Sequence, residues 1–310
     1  MPIQPVDKIW MDGKLVDWED ANVHILTHGL HYGSGVFEGV RAYETSRGAG
    51  IFRLTDHIRR LFMSAAVYMI EVPFSQDEIV AAVKDTVREN GLASCYIRPL
   101  VYHGYGEMGL NPLYAPVNVA VAVWPWGTYL GDDCIENGAR LMISTWRRPD
   151  PNVLPAQAKA TGQYINSCLA KVEAIKAGYD DAIMLGPDGR ISEGTGENLF
   201  IVREGMLVTP PESSGILKGI TRESAITIAQ DLGYEVIERN LVRSDVYTAD
   251  EAFLTGTAAE VTPIREVDGR PIGNGSRGAI TKEIQQTYFA AVKGDIEKYL
   301  AWVELADPGS

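Results

Sequence analysis

Lys159 lies in the stretch PAQAKATGQY (residues 155–164), among Ala, Thr, Gly and Gln, with no acidic residue beside it and no other lysine back to Lys84. Lysine is ordinarily a solvated charge, often close to Asp or Glu. Among small neutral groups it can instead be a desolvated amine, because burial disfavours the ammonium form, lowers the pKa and leaves a nucleophilic nitrogen. A lysine in a surface loop explains this stretch at least as well when it is taken alone. Other stretches carry complementary chemistry. In ISEGTGENLF (191–200) Glu193 ends a strand before Gly194 and Gly196, where backbone can approach a ligand closely and a carboxylate can hold a ring nitrogen protonated. In SSGILKGITRESA (213–225) the run Gly219-Ile220-Thr221 leads into a helix, whose free N–H groups and dipole favour a phosphate. An ordinary Thr cap would use the same residues. In LTGTAAE (254–260) the amides of Thr257 and Ala258 sit in a small-residue turn able to grip a carboxylate or phosphate.

Aromatic residues Tyr32, Phe37, Tyr96, Trp126 and Tyr129 are either core or pocket walls. His24, His28 and His31 lack a carboxylate or cysteine at ligand spacing, so no metal site is expected. Each feature has a plain structural explanation by itself. Together they supply what pyridoxal 5'-phosphate requires: an amine for its aldehyde, an acidic partner for its pyridine nitrogen and a cradle for its phosphate, with a carboxylate clamp left for a substrate.

These residues have to be positioned by a chain of 310 residues, more than one average domain. A hydrophobic content of 45% and a charged content of 22% are those of a globular protein with a large core. The net charge of −13 argues against nucleic acid and anionic membrane surfaces as partners, though not against small anions. Cys95, Cys134 and Cys168 have no metal or redox spacing and read as thiols in a reducing compartment. No signal-peptide pattern opens the sequence, and VNVAVAVWPW is too short to span a bilayer, so a cytoplasmic location is expected.

The pattern predicts an α+β fold in two lobes: 1–126 a small N-terminal α/β domain, 127–137 an interdomain loop, and 138–310 a larger C-terminal domain carrying Lys159. IWMDGKLVDW is a hairpin around a D-G turn, and CYIRPLVYH and VNVAVAVWPW are buried strands. Thr55 is expected to cap one helix, Ser75 with Glu78 to form a capping box for a second, and a terminal helix to fill about 277–300. Gly127 and Gly131 mark a loop able to gate a site.

The blocks IWMDGKLVDWEDANVHILTHGLHYGSGVFEGVRAY, YIRPL, PWGTYLG, AKATGQY, ISEGTGENLF, GITRESA and GTAAEVTPI occur in order over nearly the whole chain. In combination they resemble the branched-chain amino acid aminotransferases, class IV pyridoxal-phosphate enzymes of fold type IV. The resemblance implies a cofactor between two lobes and transfer of the amino group of L-leucine, L-isoleucine or L-valine to 2-oxoglutarate. It implies that Lys159 is the Schiff-base lysine and proton shuttle, Glu193 the partner of the pyridine nitrogen, and Tyr164 that of the phenolic oxygen. Arg60, Gly219, Ile220, Thr221 and Thr257 would form the phosphate site, and Leu217 would pack on the ring. Tyr96 and the amides of Thr257 and Ala258 would hold the α-carboxylate; Phe37, Trp126, Tyr129 and Tyr164 would line the side-chain pocket. Arg98 would meet the distal carboxylate of glutamate, while Tyr32 and Leu110 would come from a neighbouring subunit of a homodimer or homohexamer. D-amino-acid transaminases, (R)-amine transaminases and aminodeoxychorismate lyases share Lys159, Glu193 and the phosphate parts. Tyr96-Ile97-Arg98, Met108-Gly109-Leu110 and VFEGVR with Arg41 fit the branched-chain pattern. A scaffold that binds the cofactor without catalysis would be marked by loss of Lys159 or Glu193, and both are present; a lysine aldolase without cofactor leaves Glu193, Arg60 and the GIT turn without a purpose.

Overall fold

The computed structural model describes residues 3–307. By its internal contacts the chain forms two compact units: Met1–Trp126 with Ala158–Gln163 and Ala290–Ser310, and Gly127–Gln157 with Tyr164–Phe289. The expected division placed everything from 138 to 310 with the second lobe; by contacts Ala158–Gln163, with Lys159, and Ala290–Ser310 go with the first, and Tyr164–Phe289 stays with the second. The reason is backbone pairing. Ala160 bridges Val36, the Phe37 N–H donates to the Lys159 carbonyl (3.0 Å), and the Lys159 N–H donates to Ser64 Oγ (2.9 Å). At the other end Val303–Leu305 adds an antiparallel strand to Gly48–Phe52.

The first unit is built on a sheet in the order Val303–Leu305, Gly48–Phe52, Val40–Thr45, Cys95–His103, Val117–Trp124, Lys8–Met11, Lys14–Asp17, with Gly35–Phe37 also paired to Cys95–His103. The predicted hairpin is present as Lys8↔Asp17 through Met11↔Lys14. The helices Leu54–Val67 and Gln76–Glu89 put Ile58, Leu61, Ala65, Ile79, Val83 and Val87 into the core on this sheet, the i, i+3/i+4 spacing of a helix face. Ser75 and Glu78 make the expected capping box, with Glu78 N–H to Ser75 Oγ at 3.2 Å and Ser75 N–H to Glu78 Oε2 at 2.7 Å. Thr55 is not a cap. The helix opens two residues earlier than such a cap would allow, at Leu54 behind Arg53 in a left-handed conformation (φ 50°), and the Thr55 N–H is taken by Glu304 Oε1 at 2.8 Å.

The second unit has a sheet in the order Ile191–Gly194, Asp181–Leu185, Ala139–Arg147, Glu260–Val267, Glu251–Gly256, Asn198–Arg203, Met206–Thr209, Val236–Glu238, with Arg270–Pro271 on Glu260–Val267. Helix Tyr164–Lys176 packs on Ala139–Arg147 and Asp181–Leu185. The expected terminal helix is shorter than 277–300: it runs Ala279–Val292, Gly294 turns the chain at φ 75°, and Glu297–Trp302 follows as a 3-10 turn. Among the described residues no helix is long and apolar enough to cross a membrane.

The segment bearing Lys159 lies against Gly33. Gly33 has φ 63°, and a Cβ there would stand 2.6 Å from Gly162 Cα, while its carbonyl accepts the Gly162 N–H (3.2 Å) and the Thr161 hydroxyl (2.8 Å). Gly33→Ala therefore has to strain both the turn and the contact. We expect at least ~1–2 kcal/mol lower stability, read by urea unfolding.

Candidate active site

In the first unit the strand pair Gly35–Phe37 and Val40–Thr45 is interrupted at Glu38-Gly39, and the side chains around this break carry most of the unit's chemistry. Glu38 is fully buried. Its Oε1 accepts Arg60 Nε at 2.6 Å, its Oε2 accepts Arg60 Nη2 at 2.8 Å, and His57 Nδ1 lies 2.8 Å from the same Oε2. Burial alone would raise the Glu38 pKa; the Arg60 charge and hydrogen bonds reverse that and hold the carboxyl well below the usual range. Burial likewise lowers the His57 pKa, opposed by Glu38. Arg60 and Ser64 are one helical turn apart, so the helix that presents Arg60 also grips the backbone of Lys159.

The Lys159 ammonium faces the Phe37 ring at 5.0 Å, flanked in sequence by Ala158 and Ala160, both buried. Beyond Phe37, the Arg98 guanidinium sits 4.7 Å from the Phe37 ring centroid, 5.3 Å from Tyr96 and 5.8 Å from Trp124. Its Nη2 donates to the Tyr96 hydroxyl at 3.3 Å, and its Nε is buried with no hydrogen-bond partner. Trp126 meets Tyr96 edge to face at 4.5 Å, and its carbonyl accepts Arg41 Nη2 at 2.8 Å. Gly39 is required because a Cβ there would collide with the Tyr96 hydroxyl. Tyr32 and Leu110 do not join this group: they are 44% and 89% exposed.

In the second unit Glu193 closes strand Ile191–Gly194. Its Oε2 accepts Asn198 Nδ2 (3.2 Å) and the Leu217 N–H (3.1 Å), and its Oε1 pairs with Arg148 Nη2 (3.1 Å). Asn198 Nδ2 also donates to the Leu217 carbonyl (3.0 Å), and Gly219 lacks a Cβ where one would meet Asn198 Oδ1. Glu193, Leu217 and the start of helix Ile220–Asp231 are thus held by one side chain. Gly219, not Thr221, is the N-cap; it gives no side-chain cap bond, and Thr221 is buried in the first turn. Thr257 and Ala258 form the turn after strand Glu251–Gly256, whose Thr255 pairs in register with Asn198. Tyr164 opens helix Tyr164–Lys176, and Tyr129 rests on the Lys171 ammonium of the same helix.

Of the two glycines after Glu193, Gly194 has a different role from the one expected, whereas a Cβ on Gly196 would meet nothing within 4 Å. A Cβ on Gly194 would stand 2.7 Å from Glu197 Oε2, and one on Gly256 3.4 Å from Glu197 Cγ. The space is filled by the Glu197 side chain, not kept for a ligand. Burial, and next the Asp181 carboxylate, push the Glu197 pKa up to about 8. Sequence reasoning missed Glu38, Arg148 and Asn198. Glu38 and Asn198 lie inside stretches already singled out, VFEGVR and ISEGTGENLF, whereas nothing in STWRRPDP marks Arg148.

These parts fit pyridoxal phosphate. The amine of Lys159 stands over an aromatic face, a buried carboxylate is oriented by three donors, and a helix start has no side-chain cap, leaving its first N–H groups to an anion. With the two-lobed α+β architecture they define a pyridoxal-phosphate enzyme of fold type IV. A family model described as amino-transferase class IV matches residues 35–267. The branched-chain-amino-acid aminotransferase of Pseudomonas aeruginosa PAO1 is 50% identical over 95% of this chain and 95% of its own. The crystal structure of the Escherichia coli branched-chain amino acid aminotransferase superposes with a TM-score of 0.95 at 46% identity, covering 97% of this chain and 100% of the other. That of the Thermobaculum terrenum enzyme in its PLP-form gives 0.92 at 36%, covering 98% and 99%. The chain belongs to the class IV aminotransferases and, within them, to the branched-chain-amino-acid aminotransferases.

The Glu197 carboxyl makes stability depend on pH. Between the ordinary 4.5 and about 8 the folded chain holds a proton there that the unfolded chain has released, so stability falls as pH rises through this window and levels off above it. Glu197→Gln removes that slope. Thermal melts of the two proteins should agree near pH 5 and diverge by pH 8, with the variant melting higher; parallel curves would show that Glu197 is ionised throughout.

Proposed function

We propose that this chain transaminates L-leucine, L-isoleucine and L-valine with 2-oxoglutarate, giving branched-chain 2-oxo acids and L-glutamate in a ping-pong cycle. The observation that carries the substrate reading is the setting of Arg98. Its guanidinium lies against the faces of Phe37, Tyr96 and Trp124 and bonds a tyrosine hydroxyl, with Nε buried and unpartnered. Aromatic walls accept an aliphatic side chain, and a cation screened by rings is present for the distal carboxylate of glutamate without a fixed counter-ion to displace. One pocket must serve both half-reactions, and this arrangement offers both surfaces.

Pyridoxal phosphate, when bound, supplies an aldehyde that takes up the amino group and a protonated ring that draws off electrons. Lys159 would hold the cofactor through its aldehyde and, as base and then acid, would be the residue that moves the proton at the substrate Cα. Glu193, oriented by Arg148, Asn198 and the Leu217 amide, would accept a hydrogen bond from the protonated pyridine nitrogen. Tyr164 takes the phenolic oxygen, and Leu217 packs on the ring. Arg60, steered by Glu38, holds the phosphate with Gly219, Ile220, Thr221 and Thr257. Tyr96 and the amides of Thr257 and Ala258 hold the α-carboxylate. Phe37, Trp126, Tyr129 and Tyr164 border the side chain.

Leu110, at 89% exposure, and Tyr32 share their part of the first unit with other exposed apolar residues, Ile25, Leu30 and Leu113. His28 ties the two stretches together, its Nε2 lying 2.7 Å from the Gly109 carbonyl. A second copy of the chain covers this surface in a homodimer, alone or within a homohexamer, and Tyr32 and Leu110 enter the neighbour's pocket. The working compartment is the cytoplasm.

Lys159→Ala should lose the lysine-linked cofactor absorbance together with activity; an unchanged spectrum and rate would sink the mechanism. Arg98→Met should raise the KM for 2-oxoglutarate about 10- to 100-fold while that for leucine stays within about threefold. Equal losses on both substrates would remove Arg98 from the distal carboxylate. A panel of L-leucine, D-alanine and (R)-1-phenylethylamine separates this activity from the D-amino acid and (R)-amine transaminases.

A further inference from the structure

Tyr129 belongs to residues 127–131, which lead into the helix Asp132–Asn137. Two neighbouring side chains fasten this short loop. Leu130 packs on the apolar core of the second unit. Tyr129 lays its ring on the Lys171 ammonium, 5.0 Å from the centroid. The loop closes on itself through Thr128, whose hydroxyl donates to Asp132 Oδ1 (2.5 Å) and whose carbonyl accepts the Gly131 N–H (3.3 Å).

The ammonium under Tyr129 is itself immobilised. Lys171 Nζ donates to Asp181 Oδ2 at 2.7 Å and to the Asp180 carbonyl at 2.8 Å, and its side chain is only 21% exposed. Asp181 is fully buried, and its Oδ1 accepts the Ala182 N–H and the Thr195 hydroxyl, both at 2.7 Å. A flexible surface lysine would follow the ring and fix nothing. A lysine held by two short bonds presents a stationary cation, and the negative face of an aromatic ring is drawn to it most strongly where water is partly excluded. Asp181 therefore serves two neighbours: it anchors the cation beneath Tyr129 and, through Thr195, the turn that follows Glu193.

We propose that Lys171 is a positioning residue for Tyr129, its ammonium, fixed by buried Asp181, holding the ring where it borders the substrate side chain and so setting the fit for branched aliphatic groups. The proposal rests on Tyr129 being a wall of that pocket. It gives this chain a specificity residue on the helix Tyr164–Lys176, seven residues beyond Tyr164.

The test uses the holoenzyme with two readouts: leucine kinetics and hydrogen exchange at the amides of residues 127–131. Because Lys171→Met alone would leave Asp181 buried without its cation, the charge pair is removed together as Lys171→Met with Asp181→Asn. That variant should raise the KM for leucine about two- to fivefold with kcat little changed, and should speed exchange in 127–131. Lys171→Arg should restore both, and in a Tyr129→Leu background the double substitution should add nothing further. Unchanged exchange in the double variant would overturn the tether, whatever Tyr129→Leu does to KM. Faster exchange with an unchanged KM, in the double variant and in Tyr129→Leu alike, would overturn the pocket-wall reading and with it the claim on fit. If the double variant does not fold, Tyr129→Leu against Tyr129→Phe decides: the proposal requires faster exchange only with leucine, and equal rates overturn it.

Discussion

The Glu38–Arg60 ion pair sits where the first unit's active residues meet. Glu38 has no exposed surface, so its charge is tolerable only with both oxygens engaged, and Arg60 and His57 engage them. The backbone on either side of the pair is committed to the site as well. Phe37, one residue before, donates its N–H to the Lys159 carbonyl and faces the Lys159 and Arg98 side chains. Gly39, one residue after, leaves the space that the Tyr96 hydroxyl fills. On the helix, Ser64 stands one turn beyond Arg60 and takes the Lys159 N–H. Removing one partner of a buried pair strands the other charge at a cost of about 3–5 kcal/mol. Arg60, Lys159 and Phe37 thus share one electrostatic support.

The second unit solves a related problem with a neutral hub. Asn198 reaches Glu193 and the Leu217 carbonyl with one amide nitrogen, and its oxygen occupies the space beside Gly219. Residues 193–198 and 217–219 are thereby set in one frame, and the strand register Asn198↔Thr255 brings the Thr257–Ala258 turn to the same sheet end. Around this frame the buried carboxyls divide the charge between them. Glu193 and Asp181 each have a cation, Arg148 and Lys171. Glu197, with one backbone amide at 3.0 Å and a carboxylate nearby, keeps its proton into the neutral range. An uncharged Glu197 spares the Glu193 turn a third buried negative charge beside two that already engage these cations.

Much of this was legible in the sequence wherever a residue type is needed for a local reason. The Lys8–Asp17 hairpin and the Ser75 capping box follow from turn and cap chemistry, and the motif blocks named the family. Thr55 failed as a cap because Arg53, in a left-handed turn, starts the helix, and the tail strand Val303–Leu305 brings Glu304 to the Thr55 amide. No local pattern announces a partner so far along the chain. The same reason hid Arg148, whose role exists only once strand pairing brings Glu193 to it, and it moved Lys159 into the first unit. Gly194 was read as room for a ligand because the sequence shows an absent side chain but not that Glu197 fills the gap.

On the proposed reading, the setting of Arg98 lets one pocket accept two unlike side chains. A guanidinium paired to a carboxylate would be a poor receptor for glutamate, because the resident anion would first have to leave. A bare guanidinium beside leucine's methyl groups would lose hydration with nothing in return. Ring faces on Phe37, Tyr96 and Trp124 and the hydroxyl of Tyr96 stand between these extremes: they stabilise the cation weakly, they are apolar to an aliphatic neighbour, and they yield to a stronger anion. The planar, stacked geometry suits arginine and not lysine, whose compact ammonium holds its water more tightly. On this argument the dual specificity depends on three aromatic rings being present around one cation, and Gly39 is part of that arrangement, because any side chain there would push the Tyr96 hydroxyl away from Arg98.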